Sequence, residues 1–256
     1  MAKKKQKMIY DQDKWLKPYK EVIDRRHKMI LDLRDRYSVD GSLSKGLNNH
    51  MYYGLHRDEK GNWVFREWAP NATEIYLIGD FNNWHENEKY KLKRVKGTDN
   101  WELKLADKAL NHGDLYKMKV KWEGGEGERI PAWCRRVVQD EQTKIFSAQV
   151  WHPAKPYAFK KKSFKPSKSP LLIYECHVGM AQEEGKVGSY REFTANVLPR
   201  VKKLGYNTLQ IMAIMEHPYY ASFGYQVTNF FAPSSRFGTP DELKELIDTA
   251  HSLGIA

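Results

Sequence analysis

The spacing of apolar side chains divides the chain into three parts. Between residues 10 and 36 apolar residues recur about every 3.6 positions, which predicts a helix that Pro18 splits or restarts. Between about 51 and 151 the period becomes two, in short runs bounded by Asn, Gly and Asp, which predicts a small β-sandwich. From 171 onward apolar strands alternate with helices, a pattern typical of a parallel sheet or barrel.

The last part carries clear signals for helix ends. Thr239 and Glu242 have the spacing of a capping box, as do Ser189 and Glu192, and each pair predicts the start of a helix. Gly205 and Gly254 are expected to end these helices, because glycine tolerates positive φ. Residues 255–256 would then begin a further buried strand. The connection 215–238 is unusually long, and long connections in β/α barrels are often functional.

Composition narrows the class of protein. A hydrophobic fraction of 41% and an aromatic content of 13% are typical of a folded chain, and no apolar run is long enough to span a membrane. Cys134 and Cys176 are the only cysteines and have no metal-site or disulfide spacing, so we expect two reduced thiols and a cytoplasmic location.

The net charge of +11 is unevenly distributed. An N-terminal arm (1–36) and the lysine-rich stretch 152–170 each carry a net charge of +6, so the rest of the chain is nearly neutral. Nucleic-acid-binding domains usually carry a basic face on the folded domain itself. We therefore interpret these charges as solvated and expect neither a nucleic-acid nor a membrane partner.

Aromatic and acidic residues supply the candidate chemistry. Trp84 follows Asn82 and Asn83 in a polar turn, which favours an exposed ring flanked by amides, as sugar binding requires. Trp101, Leu103 and Leu105 are alternate residues of one predicted strand and therefore share a face, which favours a core position for Trp101. The aromatic residues of 215–238 could line a sugar cleft or pack on each other, and the pattern leaves both open.

Glu175 is expected to end the first strand of the β/α part and Glu216 the second, so both could face the mouth of a barrel. Two carboxyl groups about 5 Å apart would suit retaining glycoside chemistry. A structural role is the stronger interpretation of both residues. The histidines His177, His217 and His251 have no metal-ligand spacing, and neither a phosphate loop nor a nucleophile elbow is present. We expect no cofactor and no metal.

Two stretches resemble one known enzyme family. "FREWAPNATEIYLIGDFNNW" resembles the starch- and glycogen-binding module of carbohydrate-binding module family 48. "IYECHVG" and the stretch from "VLPRVKKLGYN" to "DTAHSLGI" resemble the start of the catalytic barrel of 1,4-α-glucan branching enzymes in glycoside hydrolase family 13. The match is nearest to the eukaryotic-type enzymes, including "LKPY", and covers nearly the whole chain after the first dozen residues.

This resemblance implies a multidomain α+β chain. Its parts would be an N-terminal helical arm (1–50), an immunoglobulin-like β-sandwich module (51–151), a basic linker (152–170) and the first β/α units of an incomplete TIM barrel (171–256). The ligand would be an α-glucan such as glycogen or amylose. The resemblance implies glucan contacts by Tyr225 of "GYQ", Trp84, Lys117, Asn100 and Trp101.

In this family the nucleophile and the acid/base residue lie beyond the matched stretch, so the resemblance implies no catalytic residue within this chain and no activity of the chain alone. Three alternatives stay open at this point. They are a stand-alone glucan-binding protein, part of a related debranching enzyme, and a nucleic-acid-binding protein.

Overall fold

The computed structural model describes residues 7–256, so the first six residues of the predicted basic arm lie outside the described residues. The chain forms two compact units with their sequence boundary between Asn49 and His50. The second unit contains both the predicted sandwich and the predicted β/α part. The finer domain boundaries stay a prediction.

The first unit is helical, and its regular α-helix is interrupted around Pro18, as the sequence predicts. Helix α1 (Ile9–Gln12) is followed by a 3₁₀ turn (Lys14–Tyr19) that contains Pro18, by the long helix α2 (Lys20–Tyr37) and by the short helix α3 (Leu43–Gly46). Proline lacks a backbone N–H, so a regular α-helix does not continue through Pro18. The Tyr10 hydroxyl and the Lys20 ammonium both donate to Asp24, at 2.8 and 2.6 Å.

The second unit begins with two antiparallel sheets. Their strands are β1 (Gly54–Arg57), β2 (Trp63–Trp68), β3 (Ala72–Gly79), β4 (Lys93–Arg94), β5 (Asn100–Leu105), β6 (Leu115–Trp122), β7 (Gly125–Arg129), β8 (Val137–Gln139) and β9 (Phe146–Gln149). The first sheet has the order β1-β2-β5-β4 and the second β3-β6-β9-β8, with β7 also paired to β6. This arrangement is the sandwich that the period-two runs predict.

The alternation along β6 shows how the sandwich is filled. Tyr116 and Met118 are buried in the core that both sheets share. The side chains of Lys117 and Lys119 lie on the opposite face of the same strand and pair with glutamates of β7. Successive residues of a strand point to opposite faces, so alternate residues of β6 face the core and the surface.

A β/α region follows. It consists of β10 (Ile173–His177), α4 (Tyr190–Glu192), a π-helical turn (Phe193–Val197), α5 (Leu198–Lys203), β11 (Thr208–Met212), β12 (Met215–Glu216), β13 (Asn229–Pro233) and α6 (Pro240–Ser252). Strands β10 and β11 are parallel, whereas β12 and β13 form an antiparallel pair. The mixed α+β class and the sandwich are thereby confirmed, and the incomplete TIM barrel stays a prediction.

Both capping boxes are present. The Ser189 hydroxyl accepts from the Glu192 N–H, and the Thr239 hydroxyl accepts from the Glu242 N–H, each at 3.2 Å. Ile255 is fully buried, and Ala256 exchanges backbone hydrogen bonds of 2.8 and 2.9 Å with Leu209 and Asn207. Residues 255–256 therefore lie beside β11, where the sequence predicts the beginning of a strand.

The lysine-rich stretch 152–170 is anchored to α6 by one buried carboxylate. Asp248 accepts hydrogen bonds from the Tyr157 hydroxyl and from the backbone N–H groups of Lys160 and Lys161, each at 2.8 Å. These bonds hold the pKa of Asp248 below its ordinary value although burial acts in the opposite direction. The backbone of this stretch is thus fixed while its lysine side chains remain in solvent.

The two thiols are expected to be unreactive in the folded chain. Cys134 and Cys176 are unpaired and buried. Burial raises the pKa of Cys176 to about 12 and that of Cys134 further above its ordinary value, so little of the reactive thiolate forms. A chromogenic disulfide reagent at pH 8 should therefore label both thiols only after denaturant is added. Rapid labelling of the native protein would contradict this burial.

Candidate carbohydrate-binding site

The turn after β3 holds the sequence "GDFNNW" in a closed loop. The side-chain oxygen of Asn82 accepts from the Gly79 N–H at 2.9 Å, and its amide donates to the Leu77 carbonyl at 3.0 Å. The backbone N–H of Trp84 donates to the Gly79 carbonyl at 2.9 Å. These three bonds fix the turn at the end of the second sheet, with Trp84 at its outer side.

Trp84 is held in an unusual backbone conformation. Asn83 and Trp84 have φ angles of 53° and 62°, in the left-handed region that bulky side chains rarely adopt. The indole N–H of Trp84 donates to Asp80 Oδ1 at 3.0 Å, and the other Asp80 oxygen accepts from the Leu115 N–H at 2.7 Å. Strain of this kind is often found at functional sites, and here it keeps a tryptophan ring 37% exposed in one orientation.

Lys117 lies beside this ring. It stands opposite Ile78 in the β3–β6 pair, so the strand register brings it to the end of the sheet near the turn. Its ammonium is 5.9 Å from the centre of the Trp84 ring and 3.0 Å from Glu128. An aromatic face, a cation and a carboxylate are thus grouped on one surface. A sugar can use the ring for its C–H face and the charged groups for its hydroxyls.

The remaining cations of this face are paired with acids. Lys119 lies 2.5 Å from Glu126, and Lys121 lies 2.7 Å from Glu86. The hydrogen bond from Lys119 lowers the pKa of Glu126 below its ordinary value. A binding face for nucleic acid needs cations that are available to phosphates. The ion pairs on β6 therefore favour a ligand without charge.

Trp101 and Asn100 lie on β5, in the other sheet, away from this group of side chains. The Trp101 ring is only 5% exposed, and its indole N–H donates to the Ala69 carbonyl at 2.9 Å. The glucan contact that the resemblance implied for Trp101 is therefore corrected, because the ring is part of the sandwich core. Asn100 is half-buried and accepts from the Tyr53 hydroxyl at 2.8 Å.

Tyr225 lies in the long connection between β12 and β13, and its side chain is 83% exposed. Its N–H donates to the Ser222 carbonyl at 3.0 Å, within a tight turn. The ring is available to a ligand but is not joined to Trp84 by any described contact. Its proposed sugar contact stays a prediction.

The two glutamates of the β/α part differ. Glu216 is fully buried, and its carboxyl oxygens accept from the backbone N–H groups of Ser235 and His217 at 2.7 and 3.2 Å. Glu175 is exposed in the middle of β10, opposite Gln210 of β11. Glu216 thus holds the connection together instead of facing a substrate. Among residues 7–256 no group of His, Cys, Asp or Glu side chains could hold a metal ion, and no helix is long and apolar enough to cross a membrane.

Sequence reasoning missed the junction between the sandwich and the β/α region. The Trp133 ring is stacked between Tyr53 and Phe231, with ring centres 5.4 and 4.2 Å away. Asn229 donates to the Pro131 carbonyl at 3.0 Å, and Arg136 donates to the Gly238 carbonyl at 2.7 Å. Each contact joins residues at least 80 positions apart, so no local pattern could have indicated them.

The β-sandwich carries the fixed ring of Trp84 on its surface and is followed by the β/α region. The sequence profile of carbohydrate-binding module family 48 (isoamylase N-terminal domain) matches residues 52–134. A crystal structure of pullulanase from Paenibacillus barengoltzii in complex with maltohexaose and alpha-cyclodextrin has a similar fold. It is 19% identical with a TM-score of 0.63, over 79% of this chain and 36% of that chain.

Curated proteins of known activity match the chain at higher sequence identity than this crystal structure does. The 1,4-alpha-glucan-branching enzyme of Dictyostelium discoideum is 46% identical over 97% of this chain, and that of Saccharomyces cerevisiae is 46% identical over 95%. The chain is therefore a homologue of the 1,4-alpha-glucan-branching enzymes, and the resemblance seen in the sequence is confirmed. It spans only 37% and 38% of the length of these two relatives. The identities favour branching enzymes over a debranching enzyme.

Proposed function

We propose that the chain is the N-terminal portion of a 1,4-α-glucan branching enzyme and that, by itself, it binds α-glucan without cleaving it. The parent enzyme would be a hexosyltransferase of glycogen biosynthesis. It would cut an α-1,4 bond and transfer the released chain to a sugar 6-hydroxyl, which creates an α-1,6 branch. The relatives that cover the chain at 46% identity support this proposal. A cytoplasmic location stays a prediction from the two unpaired thiols.

The geometry of Trp84 is the observation that carries the binding proposal. A tryptophan ring that is already fixed loses little conformational entropy when a ligand stacks on it, so more of the contact energy appears as affinity. Lys117 would donate to a hydroxyl at the edge of the stacked sugar, and Glu128, its ion-pair partner, would accept from another. Tyr225 is proposed as a second aromatic contact, for the sugar near the bond that the parent enzyme cleaves.

The burial of Glu216 supports the proposed lack of catalysis. Retaining glycoside chemistry requires a nucleophilic carboxylate and an acid/base carboxyl group about 5 Å apart at the substrate. Glu216 is fully buried and engaged by two backbone N–H groups, so it does not face a substrate. Glu175 alone cannot supply both roles. We propose no cofactor, because glycosyl transfer by two carboxyl groups needs none.

Trp84→Ala should weaken glycogen binding by about tenfold or more, since buried or stacked tryptophans are common binding hot spots. The measurement is migration of the full chain through native gels that contain increasing glycogen. The wild-type chain should be retarded in proportion to glycogen, and the variant should be retarded much less at the same glycogen concentration. The same preparations should release no reducing sugar and form no branches from amylose.

Trp15→Ala is a matched control, because Trp15 is 78% exposed and belongs to the helical unit. It should be retarded as strongly as the wild type. Equal retardation of the wild-type chain and of Trp84→Ala would refute the proposed site, and branching activity of the 256-residue chain would refute the proposed lack of catalysis.

A further inference from the structure

A second concave surface lies at the junction of the sandwich and the β/α region. We call it the junction cleft. It has a volume of about 490 Å³, within the usual range of sites for small ligands. Six of its residues carry the argument: Trp133, Arg135, Trp151, Phe231, Asp241 and Lys244. The first three belong to the predicted module and the other three to the β/α region, so both parts form the cleft.

The aromatic wall of the junction cleft is rigid. Phe231 stacks on Trp133 with an angle of 19° between the rings, and the Tyr53 ring also stacks on Trp133 at an angle of 25°. Phe231 is the outer ring of this stack and remains 44% exposed. A flat apolar face is thus open to solvent. Such a face suits a ligand that is itself flat and apolar on one side.

Trp151 forms a second part of the wall, and its environment is polar. Its indole N–H lies 3.5 Å from Asp241 Oδ1, and the guanidinium of Arg136 lies 5.1 Å from its ring centre. Both described contacts of Asp241, from the Trp151 indole at 3.5 Å and from the Lys244 ammonium at 3.2 Å, are made by Oδ1, so a ligand hydroxyl can donate to Oδ2. The ring and the carboxylate together present both an apolar and a hydrogen-bonding surface.

Cations complete the junction cleft. Arg135 is exposed, and one of its terminal nitrogens contacts His56 at 3.1 Å, which leaves other donors available. Lys244 lies 3.2 Å from Asp241, with its side chain 39% exposed. Hydroxyl groups can accept from these cations and donate to the carboxylate. A lipid chain would desolvate Arg135 and the Lys244–Asp241 ion pair without offering them hydrogen bonds, which costs free energy.

We propose that the junction cleft is a second binding site for a short α-1,4-linked glucan, which stacks one glucose on Phe231 and bonds its hydroxyls to Arg135, Asp241 and Lys244. The proposal rests on the proposed function for the class of ligand, but it concerns different residues from those around Trp84. Because both parts of the second unit contact the ligand, bound glucan would also hold the module against the β/α region.

The test uses maltotetraose and the full chain labelled with ¹⁵N. The indole N–H signals of Trp133 and Trp151, assigned with the single variants Trp133→Phe and Trp151→Phe, are followed during titration. We expect both signals to shift in the wild type and equally in Trp84→Ala, which lacks the first site. Arg135→Ala and Lys244→Ala should each raise the apparent Kd by about tenfold, the effect of one hydrogen bond to a charged group.

Lys203→Ala is the matched control for Lys244→Ala, because Lys203 is an exposed lysine at the end of α5, outside the cleft. It should leave the titration unchanged. Phe231→Ala should abolish the shifts, provided that its thermal unfolding shows a folded chain. Arg135 and Lys244 are not core residues, so they test the site even if Phe231→Ala fails to fold.

The outcomes separate the two proposals. Absence of Trp133 and Trp151 shifts in Trp84→Ala would overturn the junction site, as would shifts that neither Arg135→Ala nor Lys244→Ala weakens. Failure of the proposed function shows itself differently, because glycogen would then retard wild type and Trp84→Ala equally. Persistent shifts together with weakened glycogen retardation in Trp84→Ala would support both sites.

Discussion

Replacement of Glu216 by alanine is expected to lower the free energy of unfolding by about 3–5 kcal/mol, the usual cost of removing one member of a buried polar network. The side chain is fully buried, and its two oxygens accept from the Ser235 and His217 N–H groups. Alanine would leave both N–H groups unsatisfied in the interior, each at a cost of about 1–3 kcal/mol, and would add a cavity.

The effect should extend to the junction. Burial lowers the pKa of Arg136 below its ordinary value, and the negative charge of Glu216 opposes that change. Without Glu216 the buried guanidinium of Arg136 loses a compensating charge while it continues to donate to the Gly238 carbonyl. The long connection, which carries Phe231 and Tyr225, would then be held less firmly, so its susceptibility to proteolysis should increase.

Urea unfolding followed by tryptophan fluorescence measures this loss. Glu216→Gln retains one acceptor oxygen and nearly the same volume, so we expect it to lose roughly half as much stability. Glu175→Ala is the matched control at an exposed position of β10 and should change stability by less than about 0.5 kcal/mol. Similar losses for the two alanine variants would show that Glu216 does not have the structural role described here.

The features that sequence predicted correctly depend on neighbouring residues. A capping box joins residues three positions apart, so Ser189 and Glu192 meet whenever a helix begins there. The alternation along β6 likewise follows from strand geometry and needs no knowledge of the rest of the fold. The same rule placed Trp101 in the core, and it proved a better guide to that ring than the family resemblance.

The features that sequence could not predict depend on residues far apart in the chain. Lys160 and Lys161 have the charge pattern of a solvated linker, yet their backbone N–H groups are bound by a carboxylate more than 85 positions away. No pattern of charges indicates such a contact. The exposure of Trp84 was predictable from its polar turn, whereas its anchoring by Asp80 and the strand pairing that brings Lys117 near were not.

Gly79→Ala is the second change with a large expected effect, a loss of about 3 kcal/mol in the free energy of unfolding. Gly79 has an extended backbone, with φ of 174°, which alanine adopts without strain. The destabilisation comes instead from the lack of space for a methyl group at this position. A methyl group there would overlap the carbonyl oxygen of Leu115 and lie 2.9 Å from a Phe81 ring carbon and 3.0 Å from the Tyr116 Cα. Two of these neighbours are backbone atoms of the paired strand, so they cannot move separately.

Gly79 also links stability to binding. Its N–H is bonded to Asn82 and its carbonyl to the Trp84 N–H, so a shift of β3 away from β6 would move the whole turn. The β3–β6 register that brings Lys117 to Trp84 would be disturbed in the same movement. We therefore expect Gly79→Ala to lose glycogen retardation even at temperatures where the variant remains folded.

Gly185→Ala is the matched control, because a methyl group there would meet no atom within 4 Å and its φ is not in the left-handed region. It should be neutral or slightly stabilising, since alanine restricts the unfolded chain more than glycine. Urea unfolding measures the stability of the two variants, and native gels that contain glycogen measure their binding. If Gly79→Ala were as stable as Gly185→Ala, the close approach of β3 to β6 would be refuted. If Gly79→Ala were unstable but still retarded by glycogen, the rigid turn around Trp84 would not be what binds the glucan.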